Sequence, residues 1–183
     1  MQRLSANGLL LGRESVVNQT TPYNQSQPAI AALAGGGFVV AWVSEAVRGT
    51  DPNVAETLSD TYAVDIYARR FDAAGNALGG EFKVNTQPYY CNHPSVAAGS
   101  DGGFTVVWDQ RDAVVRTNSL DILARTYDAA GLPLASAAVV NATTYGDQYE
   151  PRIAAQGSQY LVVWTSLGQD GSYEGVYGRA LTS

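Results

Sequence analysis

Three sets of residues in this chain could do chemistry. His93 is the only histidine, and the carboxylates Asp109, Asp112, Asp147 and Glu150 follow it in the chain. A glycosidase needs two carboxylates facing one cleft, and a general base needs a group that titrates near the working pH. Spacing pairs none of the four acids, and His93 stands where the other repeats carry Gln27 and Glu150. The reading therefore assigns no catalytic residue and predicts that the chain is not an enzyme. The second set is Tyr23, Tyr89 and Tyr145, read as recurring at one position in the polar links "TTPYNQSQ", "TQPYYCNH" and "TTYGDQYE". Tyr beside Asn, Gln and Asp can hold a sugar by stacking and hydrogen bonding, or can pack a link on its neighbour. The third is Asp170 in "GQDGSYEG". An Asp-Gly-Ser turn uses its carboxylate to accept backbone N–H groups, while the same oxygens would suit Ca²⁺.

The elements that must position these residues come as a repeat. "YARRFDAAGNALGGEFKVN" (67–85) matches "LARTYDAAGLPLASAAVVN" (123–141), and "QRLSANGLLLGRESVVN" near the start matches both. Gly8, Gly75 and Gly131 align, as do Asn18, Asn85 and Asn141, then Pro28, Pro94 and Pro151. Trp42, Trp108 and Trp164 recur at spacings of 66 and 56. Each unit reads as four short strands, with "DIYARRF", "EFKVN", "PSVAA" and "GFTVVW" as one set. Pro at the head of the third suits a strand start, and no segment reads as a helix. The expected fold is all-β: three four-stranded antiparallel repeats as β-propeller-like blades, with a β-trefoil as the alternative. The chain reads as one domain, 1–183. Its units run approximately 2–68, 69–124 and 125–178, and 179–183 begin a fourth. Three blades do not easily close a ring, so either a longer array or two chains making six blades is expected.

Alternation decides between two uses of the tryptophans. Phe38, Val40 and Trp42 share one strand face, and Val39 and Ala41 form the other, also apolar. A strand apolar on both faces is sandwiched, so Trp42, Trp108 and Trp164 read as structural repeat markers. The length variation falls after each Trp. The first such loop, 43–65, carries Glu45, Asp51, Glu56, Asp60 and Asp65 and reads as a solvated insertion or a contact loop.

Bulk properties narrow the partners. With 11 basic against 17 acidic residues the net charge is −6, and no basic patch offers itself to nucleic acid. No apolar run approaches the ~20 residues of a membrane span. Cys91 is the single cysteine, so no intrachain disulfide forms.

"IYARRFDAAGNALGGEFKVNT", with "HPSVAA", "DGGFTVVW" and "VNATTYGDQYEPRIAA", resembles a repeat of large bacterial secreted and surface proteins, the haemolysin-type, RTX-like calcium-binding proteins. The resemblance implies propeller-like architecture, a secreted or cell-surface location, an adhesive or scaffolding role and no catalytic residues. The calcium-binding nonapeptides that accompany such repeats are absent from this sequence. The expected function is a non-catalytic extracellular scaffold or adhesion module. Its expected partners are protein subunits, a copy of itself or a glycan, with Ca²⁺ as the only cofactor considered. The alternatives are a lectin-like carbohydrate-binding module and a fragment of a sialidase-like propeller enzyme.

Overall fold

The computed structural model describes residues 1–47, 62–87, 90–111 and 120–182. The described residues form strands and turns, with no helix. The strands are β1 (Arg3–Leu4), β2 (Leu10–Leu11), β3 (Gln25–Ala32), β4 (Phe38–Val47), β5 (Tyr62–Phe71), β6 (Phe82–Lys83) and β7 (Tyr90–Ala98). They continue as β8 (Phe104–Arg111), β9 (Leu120–Tyr127), β10 (Ala138–Val139), β11 (Gln148–Gln156), β12 (Gln159–Leu167) and β13 (Glu174–Thr182).

Antiparallel pairing groups these strands into blades: β3-β4-β5-β6, β7-β8-β9-β10 and β11-β12-β13. The first two blades touch through one parallel bridge, Val64 to Tyr90. Among the described residues none of the sheets closes on itself. The expected four-stranded repeat therefore holds for two groups, while the third shows three strands.

Alternation builds the core between blades, not within them. One face of β4 (Val39, Ala41, Val43) packs against Phe104, Val106 and Trp108 of β8. Val107 on the opposite face of β8 joins Val162 and Trp164 of β12. Val40 and Trp42 of β4 pack with Phe71, Tyr67 and the N-terminal residues Met1 and Val17. Trp42, Trp108 and Trp164 are 4%, 0% and 6% exposed. Each indole N–H finds a glutamine: Trp42 to Gln25 at 2.9 Å, Trp108 to Gln110 at 3.1 Å and Trp164 to Gln148 at 3.0 Å. Burying an indole without such an acceptor would be costly.

The turn "DAAGN" recurs as geometry. Asp72 accepts the Asn76 N–H at 2.8 Å, and Asp128 accepts the Leu132 N–H at 2.8 Å. In the N-terminal copy Ser5 does the same for the Leu9 N–H at 3.0 Å. Gly75 supplies the positive φ, 86°, that this turn requires.

The prolines sit elsewhere than the sequence suggests. Pro28, Pro94 and Pro151 lie inside β3, β7 and β11, not at strand starts. Each follows a residue with positive φ, namely Gln27 (52°), His93 (49°) and Glu150 (52°), at a break in strand register. A β-bulge frees one ladder position, and that is where a residue without an N–H fits inside a strand.

Candidate functional site

The three bulges bring the polar residues of neighbouring blades together. Gln27 Oε1 accepts the His93 backbone N–H at 2.8 Å, joining the first blade to the second. Asp109 Oδ2 accepts the Glu150 N–H at 3.0 Å, joining the second to the third. His93 Nδ1 lies 2.6 Å from the same Asp109 Oδ2. The result is a polar row, Gln27–His93–Asp109–Glu150, crossing three inner strands at one end of the blades. Positive φ at a non-glycine residue is strained, and here it recurs three times at the positions that form the row.

Asp109 is 0% exposed, whereas the His93 side chain is 38% exposed. Burial pushes the Asp109 carboxyl above its ordinary value of 3.8, against the opposing pull of the Glu150 N–H and of His93. Its Oδ1 is buried without a partner among the described residues. With Asp109 ionised, Nδ1–H of His93 donates to it. Nε2 then carries no proton and is left as an acceptor, on a side chain that is partly exposed. Sequence reasoning set His93 aside as a single histidine at a variable position and found nothing to pair with Asp109. The pair forms because Asp109, next after Trp108, lies on the opposite face of β8 with Val107, toward the third blade, where the first blade has Val43. Strand pairing across a bulge, which spacing alone does not reveal, delivers His93 beside it.

The tyrosines are placed unevenly. Tyr23 (φ 63°) and Tyr145 are 58% and 80% exposed, in the links that enter β3 and β11. Tyr89 lies outside the described residues. Tyr145 is one residue out of step with Tyr23: Gln25 Nε2 donates to Pro22 O at 3.3 Å, and its counterpart Gln148 donates to Tyr145 O at 3.2 Å. Gly146, with φ of 76°, therefore holds the place of Tyr23. Tyr149 is also at this end, and its hydroxyl donates to Glu174. That bond is the first reason its pKa is pushed up to about 12.

Asp170 lies in the turn after β12, where its Oδ1 accepts the Ser172 N–H at 3.1 Å. Among the described residues no three His, Cys, Asp or Glu side chains group as metal ligands. In the first loop, Asp51, Glu56 and Asp60 lie outside the described residues, as does Asp112 in the second. Asp65 is held by Lys83 at 2.8 Å and Asn85 at 2.8 Å, and Glu45 by Asn24 at 2.8 Å. Cys91 is buried, its Sγ 3.5 Å from Gln110 Oε1. A cleft of about 420 Å³ lies at the opposite end of the blades, among hairpin turns that include Asp72 and Asp101. Both carboxylates there are taken up by their own turns, so the row at the bulges is the stronger candidate.

No family model and no curated protein matches the sequence. Solved structures do match in fold. A Hadza microbial sialidase superposes with a TM-score of 0.60 at 14% identity, over 97% of this chain and 37% of its own. An endo-arabinase from Bacteroides thetaiotaomicron superposes with a TM-score of 0.55 at 12% identity, over 98% of this chain and 63% of its own. The chain thus spans less than two thirds of either neighbour. The fold is all-β and its solved neighbours are propeller-like, which favours the propeller expectation over the trefoil. Nothing in these matches supports the haemolysin-type half of the resemblance. The expectation that the chain is not an enzyme is corrected: the sialidase and the endo-arabinase that it resembles in fold are enzymes.

Proposed function

We propose that this chain is a carbohydrate-engaging module of propeller type, and that sugar meets it at the polar row on the inner strands. The observation that carries the reading is the partly exposed His93 imidazole held at 2.6 Å by a fully buried carboxylate, Asp109, between Gln27 and Glu150. Such a row offers fixed donors and acceptors to hydroxyl groups. Tyr23 and Tyr145 stand in the links at the same end as candidate stacking faces. The fold likeness to a sialidase and an endo-arabinase supports a carbohydrate ligand. Work at a cell surface or in the secreted pool goes with such a ligand and belongs to the same proposal, as does attachment of a larger scaffold to a glycan.

A glycan array that includes sialosides and arabinan oligosaccharides tests it. The expected result is binding of one sugar class, weakened about tenfold or more by His93→Ala and by Glu150→Ala. Silence across the array, or binding untouched by both substitutions, sinks the reading.

Glycoside hydrolysis is the second reading, and Asp109 favours it. A carboxyl with a raised pKa suits a general acid. Because Asp109 is itself buried, it would act through His93: with Asp109 protonated and donating to Nδ1, the Nε2 proton would go to the leaving group as Nδ1 takes the Asp109 proton. Release of a chromogenic leaving group from sialosides or arabinosides, lost in Asp109→Asn, would establish turnover. No release from either class removes this second reading.

A further inference from the structure

We infer that the polar row takes neutral sugars and rejects sugars that carry a carboxylate. The inference rests on the carbohydrate reading and names the sugar class for that same site.

The row presents one side chain from the same place in each blade. Gln27, His93 and Glu150 are each the positive-φ residue that precedes the proline of β3, β7 and β11. Gln27 and Glu150 are exposed, and His93 is partly so. A ligand at the row therefore meets an amide, an imidazole and a carboxylate in that order.

The bonds already made decide what each group has left to offer. Gln27 Oε1 is taken by the His93 N–H at 2.8 Å, so its amide NH2 remains to donate. With Asp109 ionised, His93 spends its Nδ1 proton on that carboxylate and Nε2 is an acceptor. Glu150 is tied to Asp109 through its backbone N–H, which leaves its side-chain oxygens to accept. The row thus offers one donor and two acceptors. A sugar hydroxyl answers both kinds, because its O–H donates and its oxygen accepts. A uronate or sialate carboxylate only accepts, so at His93 Nε2 and at Glu150 it would set acceptor against acceptor.

Charge works in the same direction. The described elements around the row carry four carboxylates: Glu45 on β4, Asp109 on β8, Asp147 in the link before β11, and Glu150. Uncharged donors hold two of them, Asn24 Nδ2 on Glu45 at 2.8 Å and the Leu120 N–H on Asp147 at 2.9 Å, so those charges are not cancelled. Against them stand Arg111 at the end of β8 and Arg152 on β11. Arg152 lies on the other face of β11, because its neighbour Ile153 packs into the core shared with the second blade. Its Nη1 donates to Pro151 O at 2.9 Å. Burial is the main reason that the Asp109 carboxyl is pushed up, and the Glu150 charge pushes it the same way. The two carboxylates therefore already repel, and a sugar carboxylate would add a third negative charge beside them. A site lined by one sign of charge focuses its field, and an unpaired like charge is a means of rejecting the wrong ligand.

Titration with neutral and acidic sugars tests this, in EDTA so that no divalent cation bridges two carboxylates. The neutral probes are arabino-oligosaccharides, galacto-oligosaccharides and lactose. The acidic probes are oligogalacturonates and sialyllactose. The best neutral probe should bind at least about tenfold more tightly than either acidic one. Raising salt from about 0.05 to 0.5 M should narrow that gap by strengthening acidic binding alone. Glu150→Gln puts at position 150 the residue that position 27 carries at the same φ of 52°, so the backbone accommodates it. It should narrow the gap about threefold or more, with the amide oxygen still accepting from a hydroxyl. An acidic probe that binds as tightly as the neutral ones overturns the inference and leaves the carbohydrate reading standing. So does a gap that neither salt nor Glu150→Gln changes. Silence from every probe and across the glycan array overturns the carbohydrate reading, and this inference with it.

Discussion

Trp164 Nε1 donates to Gln148 Oε1 at 3.0 Å, and the same glutamine holds the Tyr145 carbonyl at 3.2 Å. A buried indole in the middle strand thus anchors the link in which the exposed tyrosine stands. The first blade repeats the arrangement with Trp42, Gln25 and Pro22. The second replaces the inner-strand glutamine with Cys91 and takes its acceptor from Gln110 instead.

Gln148→Ala would leave the indole N–H and the Tyr145 carbonyl without this partner, at a site that is 0% exposed. The expected loss is about 1–3 kcal/mol in urea unfolding. Gln148→Cys should lose a similar amount, and adding Ser166→Gln should recover part of it, because that pair copies Cys91 and Gln110. No recovery would show that the acceptor cannot be moved between strands.

Gly37 and Gly103 enter β4 and β8, and neither has room for a side chain. A Cβ on Gly37 would lie 2.3 Å from Phe71 O, and one on Gly103 2.6 Å from Tyr127 O. Both obstacles are backbone, so Gly37→Ala and Gly103→Ala should each cost roughly 2 kcal/mol or more. Gly35→Ala meets nothing within 4 Å and should stay within about 0.5 kcal/mol in the same unfolding series. Equal effects at positions 35 and 37 would contradict the close approach.

The blade pattern was legible because it is local. Alternating apolar residues ending in Trp, a "DAAGN" turn and a recurring Asn can be read from one unit at a time. The polar row was not, because its bonds cross between blades: Gln27 reaches His93, and Asp109 reaches Glu150. The bulges also hid it, since Pro94 reads as a strand start when the strand begins at Tyr90. Tyr145 stands level with Pro22, not Tyr23: the offset between Asn18 and Asn141, and between Pro28 and Pro151, gives this in the sequence, and the glutamine bonds repeat it.

Asn85 is 2% exposed and bonds the Ile66 N–H, Asp65 Oδ1 and the Gln87 carbonyl at 2.9, 2.8 and 2.6 Å. Asn85→Ala should cost about 2 kcal/mol or more, and Asn141→Ala a similar amount. Asn85→Asp should be worse at neutral pH, because it sets a second carboxylate against Asp65 while keeping the Ile66 acceptor. Its deficit should shrink in acid as the added carboxyl protonates. Thermal melts across pH read this directly, and a pH-independent deficit would mean that the lost Nδ2 donor alone is responsible.

Asp109 gives the opposite pH behaviour from a salt-bridged surface carboxylate. Burial raises its folded pKa above 3.8, ahead of the Glu150 N–H and His93 that pull it down. Below 3.8 the carboxyl is protonated whether the chain is folded or not, and its contribution to stability is fully present. As pH rises through the raised folded value, the native state must bury a charge that the unfolded chain solvates, and that contribution is lost. An amide does not titrate. The melting temperature of Asp109→Asn minus that of wild type should therefore grow more positive between pH 3.8 and neutrality, then level off. A difference that falls over this range would show that His93 and the Glu150 N–H outweigh burial, leaving a stabilised carboxylate at the centre of the row.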